Sequence, residues 1–340
     1  MSTTTTAEQS AATQSSGAIV LGDNQWGKAE VRLVRVDRST PRHEITDVNV
    51  SSQLRGGQEA THREGDNSRC VATDTQKNTI YAFARDGVGA IEDFAIRLGQ
   101  HFVEDFEWIE GGRWEIEQYS WNRIETSAGE HDHAFVRNNQ ETRTTVVQRD
   151  GDEVFVVSGL TDLVVLKSTG SEFHGFPRDR YTTLVETDDR ILATSVTSRW
   201  RYTTTDVDFD AVYAKVRAIQ LEAFATTHSL ALQQTLFAMG KAVLEAVPEI
   251  AEIKFSMPNK HHFLVDLAPF GLDNPNEVFY AADRPYGLIE ATVLREDVPA
   301  EPRAWATVSG FCCGVRPDGR ARPGRGAVTP SPRPQTRTRG

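Results

Sequence analysis

Residues 134–167 read AFVRNNQETRTTVVQRDGDEVFVVSGLTDLVVLK. Val, Thr, Phe and Leu crowd both sides of Asp150-Gly151-Asp152. β-Branched and aromatic residues suit a pleated strand, and Asp-Gly is turn chemistry. The spacing predicts strands over 134–149 and 153–167 joined by a tight reversal, which makes them antiparallel.

The same reading extends outward. Upstream, strands are expected over 29–36, around 43–50, over 70–85 and over 114–124. Between them the period changes. Ile91, Phe94, Ala95, Leu98, Phe102, Val103 and Phe106 recur at three- and four-residue steps, the mark of an amphipathic helix. Glu92 and Asp93 sit in its first turn, where the helix dipole favours acids. Downstream, a strand is expected over 191–202 and a helix over about 208–228. Ser229 is placed to cap a second helix ending near 247, before Pro248. Strands over 253–267 and 288–295 follow. The theme of long strands with grouped helices occurs twice, which indicates an α+β chain of antiparallel sheets rather than a doubly wound one. No Gly-rich phosphate loop argues otherwise. The expected division is a first module over 18–151 and a second over 152–313.

Composition removes other classes. The 340 residues hold 37 Lys+Arg against 48 Asp+Glu, a net charge of −11. A chain this acidic repels nucleic-acid phosphate unless a basic patch is segregated on it. No stretch approaches the ~20 apolar residues that span a bilayer. Cys70, Cys312 and Cys313 are too few to staple the chain and have no metal-ligand spacing, which points to a reducing compartment. Residues 1–17 lack a basic residue and an apolar run, so they read as a disordered tail and not as a secretory signal. Residues 314–340 carry seven Arg and one Asp, a charge of +6 that leaves −17 on the rest. This Pro/Gly/Arg stretch reads as a second disordered tail, either passive or a tether for an acidic partner.

Several residues invite chemistry. Lys28 stands at the mouth of the first strand. There it is either a solvated charge or, if desolvated, a base. Thr73, Asp74 and Thr75 fall in the expected strand over 70–85, which puts the two threonines on one face and Asp74 on the other. A Thr hydroxyl beside a Lys amine makes a short proton relay. Over 255–263, period two aligns Phe255, Met257, Asn259, His261 and Phe263. The amide and imidazole are then a satisfied structural pair, or part of a pocket with a proton shuttle. Arg190 and Gln233 offer planar forks for the carbonyl and N–H edges of a flat heterocycle, and Phe173 a ring to stack on it. His131 and His133, two apart in EHDH (130–133), have a metal-ligand spacing without a third ligand of known proximity.

Taken together, several segments resemble the urate oxidase (uricase) family. They are Trp26-Gly27-Lys28 with VRLVRV; Val71-Ala72-Thr73-Asp74 with TQKNTIYAFAR; LKSTGSEFHGFPRDRYTTL (166–184); LQQTLF from Leu232; MPNKHHF (257–263); and DRPYGLIEATVLRE (283–296). The resemblance implies the tunnelling fold, with two modules per chain, and homotetramers whose active sites lie between subunits. It implies oxidation of urate by O2 and water to 5-hydroxyisourate and hydrogen peroxide, with neither metal nor organic cofactor. It puts Lys28, Thr73 and His261 at the relay positions and Phe173 at the stacking position. Arg190 and Gln233 fall at the pair gripping one purine edge. Leu232 and Asp74 fall at main-chain contacts, and Asn259 at the amide facing the O2 or water site. Trp26 replaces the family's usual Tyr, and Leu232 a common Val. The tail over 314–340 has no counterpart, and the peroxisomal Ser-Lys-Leu ending is absent, so a bacterial cytoplasm is expected. Two rivals remain at this stage. A metal-dependent pterin enzyme of the same fold needs a His/Cys zinc set. A purine-binding protein without oxidase activity needs no relay.

Overall fold

Antiparallel hairpins build the sheet along the whole chain. The computed structural model describes residues 18–306 apart from Asp283 and the side chain of Asn139. The expected tails over 1–17 and 314–340, with Cys312 and Cys313, lie outside the described residues. β1 (Trp26–Asp37) pairs with β2 (Glu44–Gly56). A short α1 (Glu59–Glu64), α2 (Thr73–Arg85) and α3 (Ile91–Asp105) follow. Next come the long strands β3 (Ile109–Thr126), β4 (Gly129–Asp150) and β5 (Glu153–Lys167), then β6 (Leu192–Tyr202). The helices α4 (Phe209–Thr226) and α5 (Leu232–Ala246) precede β7 (Ile250–Asn259). A small hairpin of β8 (His262–Leu264) and β9 (Phe279–Ala281) leads to β10 (Gly287–Leu294).

The order β1-β2-β3-β4-β5-β6-β7-β10 makes one eight-stranded sheet, antiparallel at every junction. At its middle, Gly151 takes φ +58° between β4 and β5, the left-handed conformation that glycine adopts without steric cost. The sheet runs through this turn without interruption.

One face of the sheet is apolar. Val48, Val50, Trp114, Ile116, Leu160, Trp200 and Phe255 are buried in a single core with Phe94, Leu98 and Phe102 of α3 and Leu236, Met239 and Val243 of α5. Each such side chain contributes roughly 1.5–3 kcal/mol by leaving water.

Three local expectations change. Residues 73–85 are helix α2, not strand. Gln76, Ile80 and Ala84 are its buried residues, spaced by one turn. Asp74 in the first turn pairs with Lys77 and accepts from Asn78 Nδ2 at 3.1 Å, contacts that only a helix provides. Thr73 and Thr75 therefore do not share a strand face. Next, the strand expected over 253–267 breaks after Asn259. The Lys260 N–H donates to the Ala193 carbonyl at 2.8 Å, and the chain turns into β8. Finally, Ser229 does not cap α5. Its hydroxyl donates to the Ala231 carbonyl at 3.1 Å and accepts from Thr235 Oγ1 at 2.8 Å.

A buried ionic hub braces the two halves of the chain. Arg143 of β4 donates to Glu92 of α3 at 2.7 Å and to Asp210 of α4 at 2.5 Å. Ser158 of β5 donates to the second Glu92 oxygen at 2.5 Å. Burial raises the Glu92 carboxyl above its usual range, and Arg143 opposes that. Removing the cation leaves a buried, unpaired acid. Arg143→Ala is expected to cost about 3–5 kcal/mol in denaturant unfolding. A loss below ~1 kcal/mol would mean that the hub contributes little.

Candidate active site

Two groups of side chains gather at opposite ends of the sheet. The first lies at the β1 edge. Gly27 is pressed against β2, where an added Cβ would stand 1.8 Å from the Ser52 carbonyl, so only glycine fits. Lys28 pairs in register with Ser52 just before a bulge, and Glu30 within it takes φ +56°. The Ser52 hydroxyl donates to Gln76 of α2 at 2.9 Å within the core. The Trp26 indole donates to the Val71 carbonyl at 2.9 Å. These two links hold the start of α2 against the mouth of β1, and so bring Thr73 and Asp74 beside Lys28. Lys77 chiefly, with Lys28 contributing, holds the exposed Asp74 carboxyl below the ordinary range.

The second group lies between the loop after β5, the start of α5 and the end of β7. Phe173 exchanges both backbone hydrogen bonds with Thr187, at 2.9 and 3.2 Å. Phe176 stacks on its ring with centroids 5.1 Å apart. Arg190 is anchored by its N–H to the Ser171 carbonyl at 2.8 Å and by Nε to the Ser171 hydroxyl at 3.2 Å. Its guanidinium carbon lies 5.1 Å from the Phe173 ring centre. Burial lowers the Arg190 pKa. His261 lies within range of that charge. Burial first, then Arg190 and His262, hold its imidazole below the ordinary value, so it is neutral at neutral pH. A bridge between Ser171 and Ser229 ties the Phe173 loop to the start of α5. There Leu232 is buried and Gln233 exposed. Their first-turn N–H groups have no intrahelical acceptor, and Ala231 before them provides no side-chain cap. Asn259 closes β7, paired with Thr194 and Gly287.

The hydrogen-bonding ends are open. The side chains of Lys28, Thr73, Gln233, Asn259 and His261 make no hydrogen bond to another described residue, and Arg190 uses only Nε. Asn259 and His261 are therefore not the satisfied structural pair that strand periodicity allows. The expected residues fall into Lys28, Thr73 and Asp74 on one side, and Phe173, Arg190, Leu232, Gln233, Asn259 and His261 on the other. No hydrogen bond, ion pair or ring contact joins the two sets among the described residues. β1 and β7 are six strand steps apart. At about 4.8 Å per step this is ~29 Å along the sheet.

Sequence reasoning missed the supports Ser171, Ser52 and Gln76. All three are fully buried polar residues, and only pairing geometry reveals them. His131 and His133 do meet, with ring centres 4.5 Å apart. Their flanking acids Glu130 and Asp132 face Arg42 instead.

The Phe173 half-site offers an aromatic ring beside a desolvated guanidinium, an amide, an imidazole and open helix-end N–H groups. Comparison with known proteins narrows this. The Uricase family model matches residues 24–148 and 156–290. A uricase of Arthrobacter globiformis is 64% identical over 309 residues, covering 91% of this chain and 100% of that protein. A uricase of Dictyostelium discoideum is 39% identical over 277 residues, covering 80% and 96%. The crystal structure of the Arthrobacter globiformis uricase superposes with a TM-score of 0.82 at 65% identity, covering 85% of this chain and 100% of that one. The chain belongs to the uricase family, and its continuous antiparallel sheet with helices on one face is the α+β tunnelling fold. No helix among the described residues is long and apolar enough to cross a membrane.

Proposed function

We infer that urate oxidation, the activity of this family, takes place here in a cleft shared by two copies of the chain. Lys28, Thr73 and Asp74 come from one copy, and Phe173, Arg190, Leu232, Gln233, Asn259 and His261 from its neighbour. The observation that carries this reading is the pair of open half-sites at opposite ends of one sheet. Apolar side chains exposed on the segment bearing β8 and β9 (Phe263, Phe270, Leu272 and Tyr280) favour a covered surface there. β1 and β10 are open sheet edges, which also suits association. The assembly proposed is a homotetramer, each chain made of modules 18–151 and 152–313, working in a bacterial cytoplasm.

The chemistry follows from the groups present. Urate is already an electron-rich anion. Arg190 neutralises it, Gln233 and the main chain at Leu232 and Asp74 hold its edges, and Phe173 fixes its plane. The Asn259 amide faces the O2 or water site above the ring. Lys28, Thr73 and His261 move protons between substrate, water and peroxide. Urate, O2 and water become 5-hydroxyisourate and hydrogen peroxide. Positioning and desolvation are asked to do what a metal does elsewhere. A purine- or pterin-binding protein without oxidase activity is not favoured, because the matched family consists of uricases.

Urate absorbance is expected to fall with release of one peroxide per urate, unchanged by a chelator. Urate that binds but is not consumed would defeat the reading. The pH profile provides a second check. A relay that needs neutral His261 loses kcat/KM as pH drops through the imidazole pKa, and that limb lies below the ordinary histidine value. Arg190→Gln removes a charge that opposes protonation, so its acid limb moves upward.

A further inference from the structure

Phe173 and Thr187 form an antiparallel bridge, and side chains alternate across such a bridge. Phe173 and Thr187 therefore point to one side. Glu172, His174, Glu186 and Asp188 point to the other. On that second side, His174 Nε2 lies 2.9 Å from Asp188 Oδ1 and 3.4 Å from Glu172 Oε2. The ligand atoms of Glu172, His174 and Asp188 all fall within 4.8 Å of one another. His228 Nε2 meets the other Glu172 oxygen at 2.6 Å. His174 Nδ1 faces Glu186 at 3.8 Å.

Three carboxylates converge on the His174 imidazole here. Glu172, Glu186 and Asp188 have no Lys or Arg within ion-pairing distance among the described residues; the two imidazoles face them, and the Gly175 N–H donates to Glu186 Oε1 at 2.9 Å. Around a tetrahedral ion with bonds of about 2.1 Å, neighbouring ligand atoms stand ~3.4 Å apart. The distances from His174 Nε2 to its two carboxylates are already close to that. An imidazole among the donors selects zinc-like ions over calcium or magnesium. The remaining groups have outer-sphere roles. Glu186 stands 3.8 Å from Nδ1, on the far side of the ring from Nε2, and His228 steadies Glu172 by a hydrogen bond.

We propose that Glu172, His174 and Asp188 form a binding site for a divalent ion of the zinc class, with water completing the tetrahedron. The site lies behind the Phe173 platform and takes no part in the oxidation. Its ion clamps the two strands of the bridge, and Arg190 hangs from the adjoining Ser171.

The test is equilibrium dialysis of chelator-treated full-length protein against zinc chloride, with cobalt(II) as a spectroscopic probe. One zinc per chain is expected, with a visible tetrahedral cobalt band. Asp188→Asn and His174→Ala should each weaken binding by at least about tenfold. Zinc should raise the thermal midpoint of the unsubstituted protein but not that of Asp188→Asn. Asp188 is 98% exposed, so that variant tests the site without disturbing the core. A His131→Ala/His133→Ala double variant should bind zinc normally. Absence of saturable binding would overturn the proposal. So would zinc retained by both Asp188→Asn and His174→Ala, or lost with the His131/His133 pair. Because zinc binding is read without urate, failure here is separable from failure of the proposed oxidation.

Discussion

Thr73→Ala is expected to lower kcat for urate by about 10²–10⁴-fold, the usual worth of a positioned proton-transfer group. Thr73 is the first residue of α2, held against β1 by the Trp26–Val71 and Ser52–Gln76 links. Its hydroxyl makes no side-chain hydrogen bond to another described residue, so alanine removes a proton carrier without orphaning a structural partner. Helix propensity rises slightly with alanine, so the fold has no reason to fail. Urate affinity should change little, because Arg190, Gln233 and Phe173 carry most of the binding. Arg190→Ala should do the reverse and act mainly through KM, by removing the cation that matches the anionic substrate. Near-normal turnover of Thr73→Ala, with its circular dichroism intact, would remove the hydroxyl from the relay.

Mixing two inactive variants is expected to restore activity. Lys28→Met damages one half-site and His261→Ala the other. If each active site draws one half from each of two chains, random assembly of equal amounts gives roughly a quarter of the sites both intact halves. The parents should each be nearly inactive, so a rise to about a quarter of full activity per site spans orders of magnitude. The experiment needs co-expression or joint refolding, so that chains assort. A mixture no more active than its parents, from samples proven to contain hybrids, would place both half-sites in one chain.

Much of the fold was legible because its periods are clean. Ile91, Phe94, Leu98 and Phe102 recur at helical steps and are all buried against the sheet. The long strands around Gly151 carry residues that favour the pleat. Residues 73–85 read as a strand because Thr73, Thr75, Thr79 and Ile80 mimic one, yet they form a helix. The helical signal there is carried by Gln76, Ile80 and Ala84, of which the first is polar and the last small. Its burial rests on one hydrogen bond to Ser52, a partner 24 residues away. The break after Asn259 was hidden for a similar reason. The Lys260 N–H finds its acceptor on Ala193, and no local pattern announces a long-range bond. The grouping of Arg190 with His261 and Phe173 lay beyond periodicity altogether and came from resemblance. Glu172, His174 and Asp188 went unremarked because Glu-x-His and Glu-x-Asp lie on separate strands of a bridge. Their alternation about Phe173 and Thr187 was the available signal.

The hub at Arg143 has a consequence for how such a chain can change. Its cation answers an acid from the first half and another from the second, while the sheet passes between them without a seam. Neither half is free to live alone. A gene cut at Gly151 would yield one fragment in which Arg143 keeps Glu92 but loses Asp210, and another holding Asp210 and an exposed strand flank. The doubled pattern looks like two interchangeable parts, yet the chain is expected to unfold as one.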